Sequence, residues 1–263
     1  MSKPKNYLEY NRNAWDHQVR TGNRWTIPVG EEEIEKARKG EWSVVLTPNA
    51  KVPREWFPDK GAKVLGLASA GGQQGPVLAA AGYEVTIFDN PSEQLGQDQK
   101  VSKKYNLGIK TVQGDMADLS VFKNKSFDCV FNPCSTGFVP DVVKVYREAA
   151  RVLKPGGIFL TGYTNPVYYL FDVMLVERGI FTLKYSSPYS DLDSLDEEEL
   201  KFFTDKNEPV VFGHSWDAHI NGQIQAGLHI TEIIEDNWGE GNPIDKYFPA
   251  FIASRAVKGH ITF

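Results

Sequence analysis

The chain has 263 residues, 41% of them hydrophobic and 24% charged, enough apolar material for one domain with a buried core and a substantial insertion. A net charge of −5 speaks against a nucleic-acid backbone as the main partner, because that affinity comes from clustered Lys and Arg. No apolar run approaches the ~20 residues of a bilayer-spanning helix, so no membrane partner is expected.

The N-terminal run MSKPKNYLEYNRNAWD lacks the apolar core of a signal peptide, and Cys129 and Cys134 are too few for a disulfide framework. The expectation is a cytoplasmic protein. A helix is predicted from about Asn6 to Val19, placing Tyr7, Tyr10, Ala14 and Trp15 roughly on one face. Glu31 to Gly40 reads as a second helix, with acids in its first turn and bases in its last. Residues 1–43 are thus expected to form a helical cap.

From Lys63 to Asp89 the chain reads as strand, glycine turn, helix, strand. Val64, Leu65 and Leu67 make a short apolar run typical of a strand buried on both faces. Gly71, Gly72 and Gly75 let the backbone turn sharply. Pro76 suits a first helical turn, Val85 to Phe88 form the next strand, and Asp89 sits at its carboxyl end. This is half of a nucleotide-binding α/β fold, in which ligands lie beyond the carboxyl ends of the strands. A helix near Ser92–Tyr105, strands at Thr111–Gln113 and Phe127–Asn132, a helix from Pro140 to Leu153 and a strand at Ile158–Thr161 continue the alternation, which implies a parallel sheet. Residues 163–213 break the rhythm and are expected to form an inserted lid, with a helix at Val167–Arg178 and an acidic run, Asp191 to Glu199, read as a solvated helix start. His214-Ser215 opens a further helix. His229–Glu235 and Phe251–Lys258 read as a closing antiparallel pair. All of this fits a single domain over residues 1–263.

Three spots should converge at the sheet edge. The turn Ala68–Gly72 can pack against the tail and sugar of a nucleoside. Asp89 can accept from both hydroxyls of a ribose. Asp115 can accept an exocyclic amine while Met116 packs on the base.

VLGLASAGG, IFDN at 87–90, GDM at 114–116, FDCVFN and EAARVLKPGG at 148–157 together resemble class I S-adenosylmethionine-dependent methyltransferases of the small-molecule type, in a bacterial subgroup. The resemblance implies a doubly wound α/β fold with a mostly parallel seven-stranded sheet, Rossmann-like, its last strand antiparallel. It also implies S-adenosylmethionine as cofactor, a small-molecule acceptor, and contacts from Ala68, Ser69, Gly71, Gly72, Gln74, Asp89, Asn90, Gln94, Asp115, Met116 and Asn132. The chain departs from the pattern at Gly66, where the family usually has an acid, and at Ala68 and Ala70, which replace glycines.

Methyl transfer asks mainly for alignment and exclusion of water. A hydroxyl acceptor would also want a general base, for which His214, with Asp217 three residues on, and His17 are the candidates. His214, Asp217 and His219 lack metal-site spacing, so no metal is expected. Two rival readings remain at this stage: an NAD-dependent oxidoreductase, from Ala70-x-Gly72-x-x-Gly75, and a non-catalytic binding module, from the altered glycine turn. Nothing in the pattern sets an oligomeric state.

Overall fold

Strand β1 (Lys63–Leu67) is buried along Val64 to Leu67 and carries the sheet outward on both sides. It pairs in parallel with β2 (Glu84–Asp89) and with β4 (Phe127–Asn132), while β3 (Lys110–Gln113) adds to β2 and β5 (Leu153–Thr164) to β4. The last strands, β6 (Leu228–Asp236) and β7 (Phe251–Lys258), form an antiparallel pair, and β7 inserts antiparallel beside β5. The order across the seven-stranded sheet is therefore β3-β2-β1-β4-β5-β7-β6. The computed structural model describes residues 3–176, 178–239 and 241–259.

Alternate residues of these strands feed two cores. Leu65, Leu67, Phe88 and Val130 pack with α5 (Val142–Val152) on one face. Val64, Val85, Ile87, Cys129 and Phe131 pack on the other with α2 (Glu31–Arg38), α3 (Gln74–Ala80) and α4 (Ser92–Tyr105). Both faces of the sheet are thus covered, as the continuous apolar strands require.

Helix α1 (Tyr7–Thr21) begins at Asn6, whose side chain accepts from the Leu8 and Glu9 amides, and ends at Gly22 in the left-handed conformation. It lies against α4. Asp16 accepts from the Glu93 amide at 2.8 Å and so caps α4 from outside, and Arg20 pairs with Glu93 at 2.5 Å.

The segment after β5 differs from expectation in two places. The helix predicted over Val167–Arg178 is instead a 3-10 turn at Pro166–Leu170 and a single helical turn at Val173–Val176. Its aromatic residues spend their rings on distant partners: Tyr169 stacks on Tyr189 and Phe171 on Phe248. The acidic run is also not wholly solvated. Asp191 and Glu199 are buried, Asp191 accepting from Tyr189 Oη at 2.6 Å and the Val211 amide at 2.8 Å, Glu199 from Tyr185 Oη at 3.0 Å and pairing with Lys184. Burial pushes the Asp191 carboxyl up to about 6. Helix α6 (Glu197–Thr204) follows, opened by a capping box from Asp196 and Glu199. Helix α7 (Trp216–Gln225) starts at Ser215 and packs on α5. No helix among the described residues is long and apolar enough to cross a membrane.

Candidate active site

The carboxyl ends of β1, β2, β4 and β5 open into one cavity of about 390 Å³, within the range of small-ligand sites. Of the sequence-predicted residues, Ala68, Ser69, Gln74, Asp89, Asn90, Gln94, Asp115 and Met116 line it. Gly71, Gly72 and Asn132 do not. Asn132 is wholly buried, donating to the Leu67 carbonyl at 2.8 Å and to Ser135 Oγ at 2.7 Å while accepting from Thr161, so it braces the loop 133–137 from behind.

The glycine turn is held by carboxylates. Asp89 accepts from the Ala70 amide at 2.9 Å and from the Asn90 amide at 2.8 Å. Asp98, on α4, accepts from the Gly71 amide at 2.9 Å and the Gly72 amide at 3.1 Å. The Ala68 amide donates to the Phe88 carbonyl at 2.7 Å. Four of the five backbone amides from 68 to 72 are therefore engaged inside the protein. A turn of this kind cannot cradle a pyrophosphate, which is bound by free amides at a helix start. Burial pushes the Asp89 carboxyl up to about 6, against the two amides that favour its charged form.

Above the turn, α1 contributes Leu8, Asn11 and Trp15, and Trp25 follows. Tyr7 and Tyr10, on the same helix, face instead the small core around Tyr189 and Phe212. Asn90 ties the helix down by donating to the Leu8 carbonyl at 2.7 Å. The far wall is aromatic: Phe138, Tyr163, Tyr168, Tyr169, Trp238 and Phe251. Among the described lining residues, Asp89 and Asp115 are the only carboxylates, and Lys, Arg and His are absent.

Neither candidate base lines the cavity. His214 is 7% exposed and its Nε2 donates to the Thr136 carbonyl at 3.0 Å, behind the loop. Burial holds its pKa below the usual histidine value. Asp217, its expected partner, is exposed and accepts from Asn221. His17 lies on α1 away from the cavity. His219 is buried against Tyr163, ring centroids 4.0 Å apart, with Nδ1 2.7 Å from Tyr146 Oη, and burial pushes its pKa down to about 3. Cys134 lines the cavity, but burial raises its thiol pKa far from the nucleophilic range.

Sequence reasoning did not single out Asp98, whose only signal was its place four residues after Gln94 on one helix face. It also missed the aromatic wall, because Tyr168, Trp238 and Phe251 come together only through the sheet order.

A methyltransferase domain model matches residues 65–161. Over 252 residues, covering 95% of this chain and 98% of the other, the sequence is 47% identical to the uncharacterized methyltransferase YbaJ of Bacillus subtilis. A shorter stretch of 102 residues, 38% of this chain and 27% of the relative, is 36% identical to a sterol 24-C-methyltransferase of Gibberella zeae. In fold it is similar to an S-adenosylmethionine-dependent methyltransferase of Mesorhizobium loti, with a TM-score of 0.59, 18% identity and coverage of 78% of this chain and 94% of that one. The chain belongs to the class I S-adenosylmethionine-dependent methyltransferases. S-adenosylmethionine is its cofactor. The oxidoreductase and binding-module readings find no support beside this.

Proposed function

We propose that the chain methylates a small, uncharged and largely apolar molecule inside the 390 Å³ cavity. The observation that carries this reading is electrostatic: the described lining residues include two carboxylates and no cation, beside a turn whose amides already face carboxylates. Such a site suits a sulfonium nucleoside and offers nothing to a phosphate or carboxylate on the acceptor.

When bound, S-adenosylmethionine supplies a methyl group already activated on sulfur. Asp89 accepts the ribose hydroxyls through lone pairs that its two amides leave open. Asp115 and Met116 take the base. Ala68, Ser69 and Gln94 line the tail, where Gln94 Oε1 and Ser69 Oγ are buried acceptors with no partner of their own. Leu8, Asn11, Trp15 and Trp25 on one side and Tyr168, Tyr169 and Val211 on the other roof the cavity and keep water out. The two sides are joined by Asn11, which donates to the Val210 carbonyl at 3.0 Å and accepts from the Val210 amide at 2.9 Å. Positioning and desolvation supply the rate. With no imidazole among the described lining residues, the wall offers no histidine general base, and the acceptor's own nucleophilic atom meets the methyl group in line. Among the partial relatives are a sterol and a hydroquinone methyltransferase, whose named acceptors are uncharged and largely apolar.

The test is to incubate the protein with methyl-labelled cofactor and a bacterial lysate, then separate solvent-extractable small molecules from protein and nucleic acid. Label in the extractable fraction supports the reading. Label confined to macromolecules contradicts it.

A further inference from the structure

Asp98 is the least expected group in the molecule. It is 0% exposed, it sits two turns into α4, and only its Oδ2 is used, accepting from Gly71 and Gly72. Its Oδ1 is buried without a hydrogen-bond partner. A half-satisfied interior carboxylate is costly to keep, and an apolar residue would fill the same helix face more cheaply.

The turn explains why it is there. Gly71 and Gly72 adopt φ of 119° and 74°, conformations that glycine takes without strain, and both amides donate to Asp98 Oδ2. The end of β1 offers no help, because residue 66 is a glycine with crowded surroundings: a Cβ there would stand 2.4 Å from Ser69 Oγ and 2.6 Å from Ile87 Cδ1, so both side chains would have to shift. An acid on β1 at this position would displace Ser69 and Ile87. A carboxylate reaching across from α4 replaces it.

We propose that Asp98 is the positioning residue of the cofactor turn: it fixes the Gly71 and Gly72 amides toward α4 and so sets the backbone of residues 68–70 for the nucleoside. It touches neither cofactor nor acceptor and acts through the turn. The inference rests on the reading above that this turn holds the cofactor. The groups packed around Asp98 are Asp89 from β2, which acts on it as a like charge, and the neutral Gly75 and Ile87, with Gly71 and Gly72 themselves against Thr26 and Pro28. Burial, more than Asp89, pushes its carboxyl up to about 7, so its charge changes within the ordinary working range.

The experiment is calorimetric titration with S-adenosylhomocysteine at pH 6, 7 and 8, on wild type, Asp98→Asn, Asp98→Ala and Asp89→Ala, each checked for folding by its thermal midpoint. At pH 8, Asp98→Ala and Asp89→Ala each raise Kd at least tenfold. Asp98→Asn, a near-isosteric acceptor without charge, raises it three- to tenfold at pH 8 and matches wild type at pH 6, where Asp98 is itself protonated. Asp98→Asn equal to wild type at all three pH values overturns the proposal, even if Asp98→Ala proves too unstable to titrate. If Asp89→Ala weakens binding in that case, the site stands and only Asp98 leaves it. If Asp89→Ala is also silent, the nucleoside is not at this turn.

Discussion

At residue 66 the chain gives up a carboxylate and at residue 98 it gains one, and the two facts are sterically linked. Ser69 Oγ and Ile87 Cδ1 occupy the space that a side chain on β1 would need. Gly66→Ala is therefore expected to overpack the strand end and cost ~1–3 kcal/mol, read as a lower thermal midpoint; an unchanged midpoint would mean that this corner yields. The same scale explains the most recognisable family run, EAARVLKPGG. Arg151 makes a two-pronged contact to Glu148 and donates to the Phe122 and Leu119 carbonyls and to Asn124, while Glu148 accepts from the Leu119 amide. This pair pins the loop 119–124 and stands apart from the cavity lining. Arg151→Ala should lower stability by ~2 kcal/mol, the scale of lost hydrogen bonds to a charged group, and leave the S-adenosylhomocysteine Kd unchanged. A weakened Kd in a folded Arg151→Ala protein would show that the run does more than hold the fold.

Among the elements, those with local signals were legible in the sequence. The predicted helix at Ser92–Tyr105 and strands at Phe127–Asn132 and Phe251–Lys258 occur with the expected ends, because periodicity and turn residues coincide there. Val167–Arg178 was not legible, since its aromatic rings are claimed by Tyr189 and Phe248 across the fold. Asp191 and Glu199 read as solvated for a related reason: the Val211 amide and the Tyr185 hydroxyl that satisfy them lie 20 and 14 residues away, and only Tyr189 is a neighbour in the chain. The acidic strand end and the Asp115-Met116 pair were readable as cavity residues, whereas the braces, Asp98 and Asn132, announce themselves only through their partners. The junction of α1 with the 163–213 segment depends on Asn11. Asn11→Ala strands the buried Val210 amide and carbonyl, at ~1–3 kcal/mol. With a shift of ~2–4 °C per kcal/mol for a chain approaching this size, the midpoint should fall by several degrees. A fall below one degree would show that the junction is held by other contacts.

For the whole molecule, the buried acids and histidines set opposing pH trends. Asp89, Asp98 and Asp191 have folded-state pKa values raised to about 6, 7 and 6. The folded protein thus holds protons that the unfolded chain has lost, and the stability this confers is lost as pH rises through 6–7. His214 and His219 are lowered, so the stability from keeping them neutral is lost as pH falls below the ordinary histidine value near 6.5. Between pH 8 and 6.5 the acids prevail. The cofactor-free protein should gain stability on going from pH 8 to 6.5, with a slope of at most ~1.4 kcal/mol per pH unit for each proton. Asp98→Asn should flatten that rise in a calorimetric scan, and a midpoint that instead climbs from pH 6.5 to 8 would contradict the assignment. Saturating cofactor binds only the folded state, and because it binds more tightly at pH 8, where Asp98 is charged, it works against this trend.

The central claim concerns the turn between β1 and α3, so the most direct measurement is a crystal structure with S-adenosylhomocysteine bound. The ribose is predicted at Asp89, the adenine by Asp115 and Met116, and the tail over Ala68 and Ser69, with the sulfur directed toward Tyr163, Tyr168 and Trp238. Density for the nucleoside anywhere else, or a ribose out of hydrogen-bond reach of Asp89, would contradict the account.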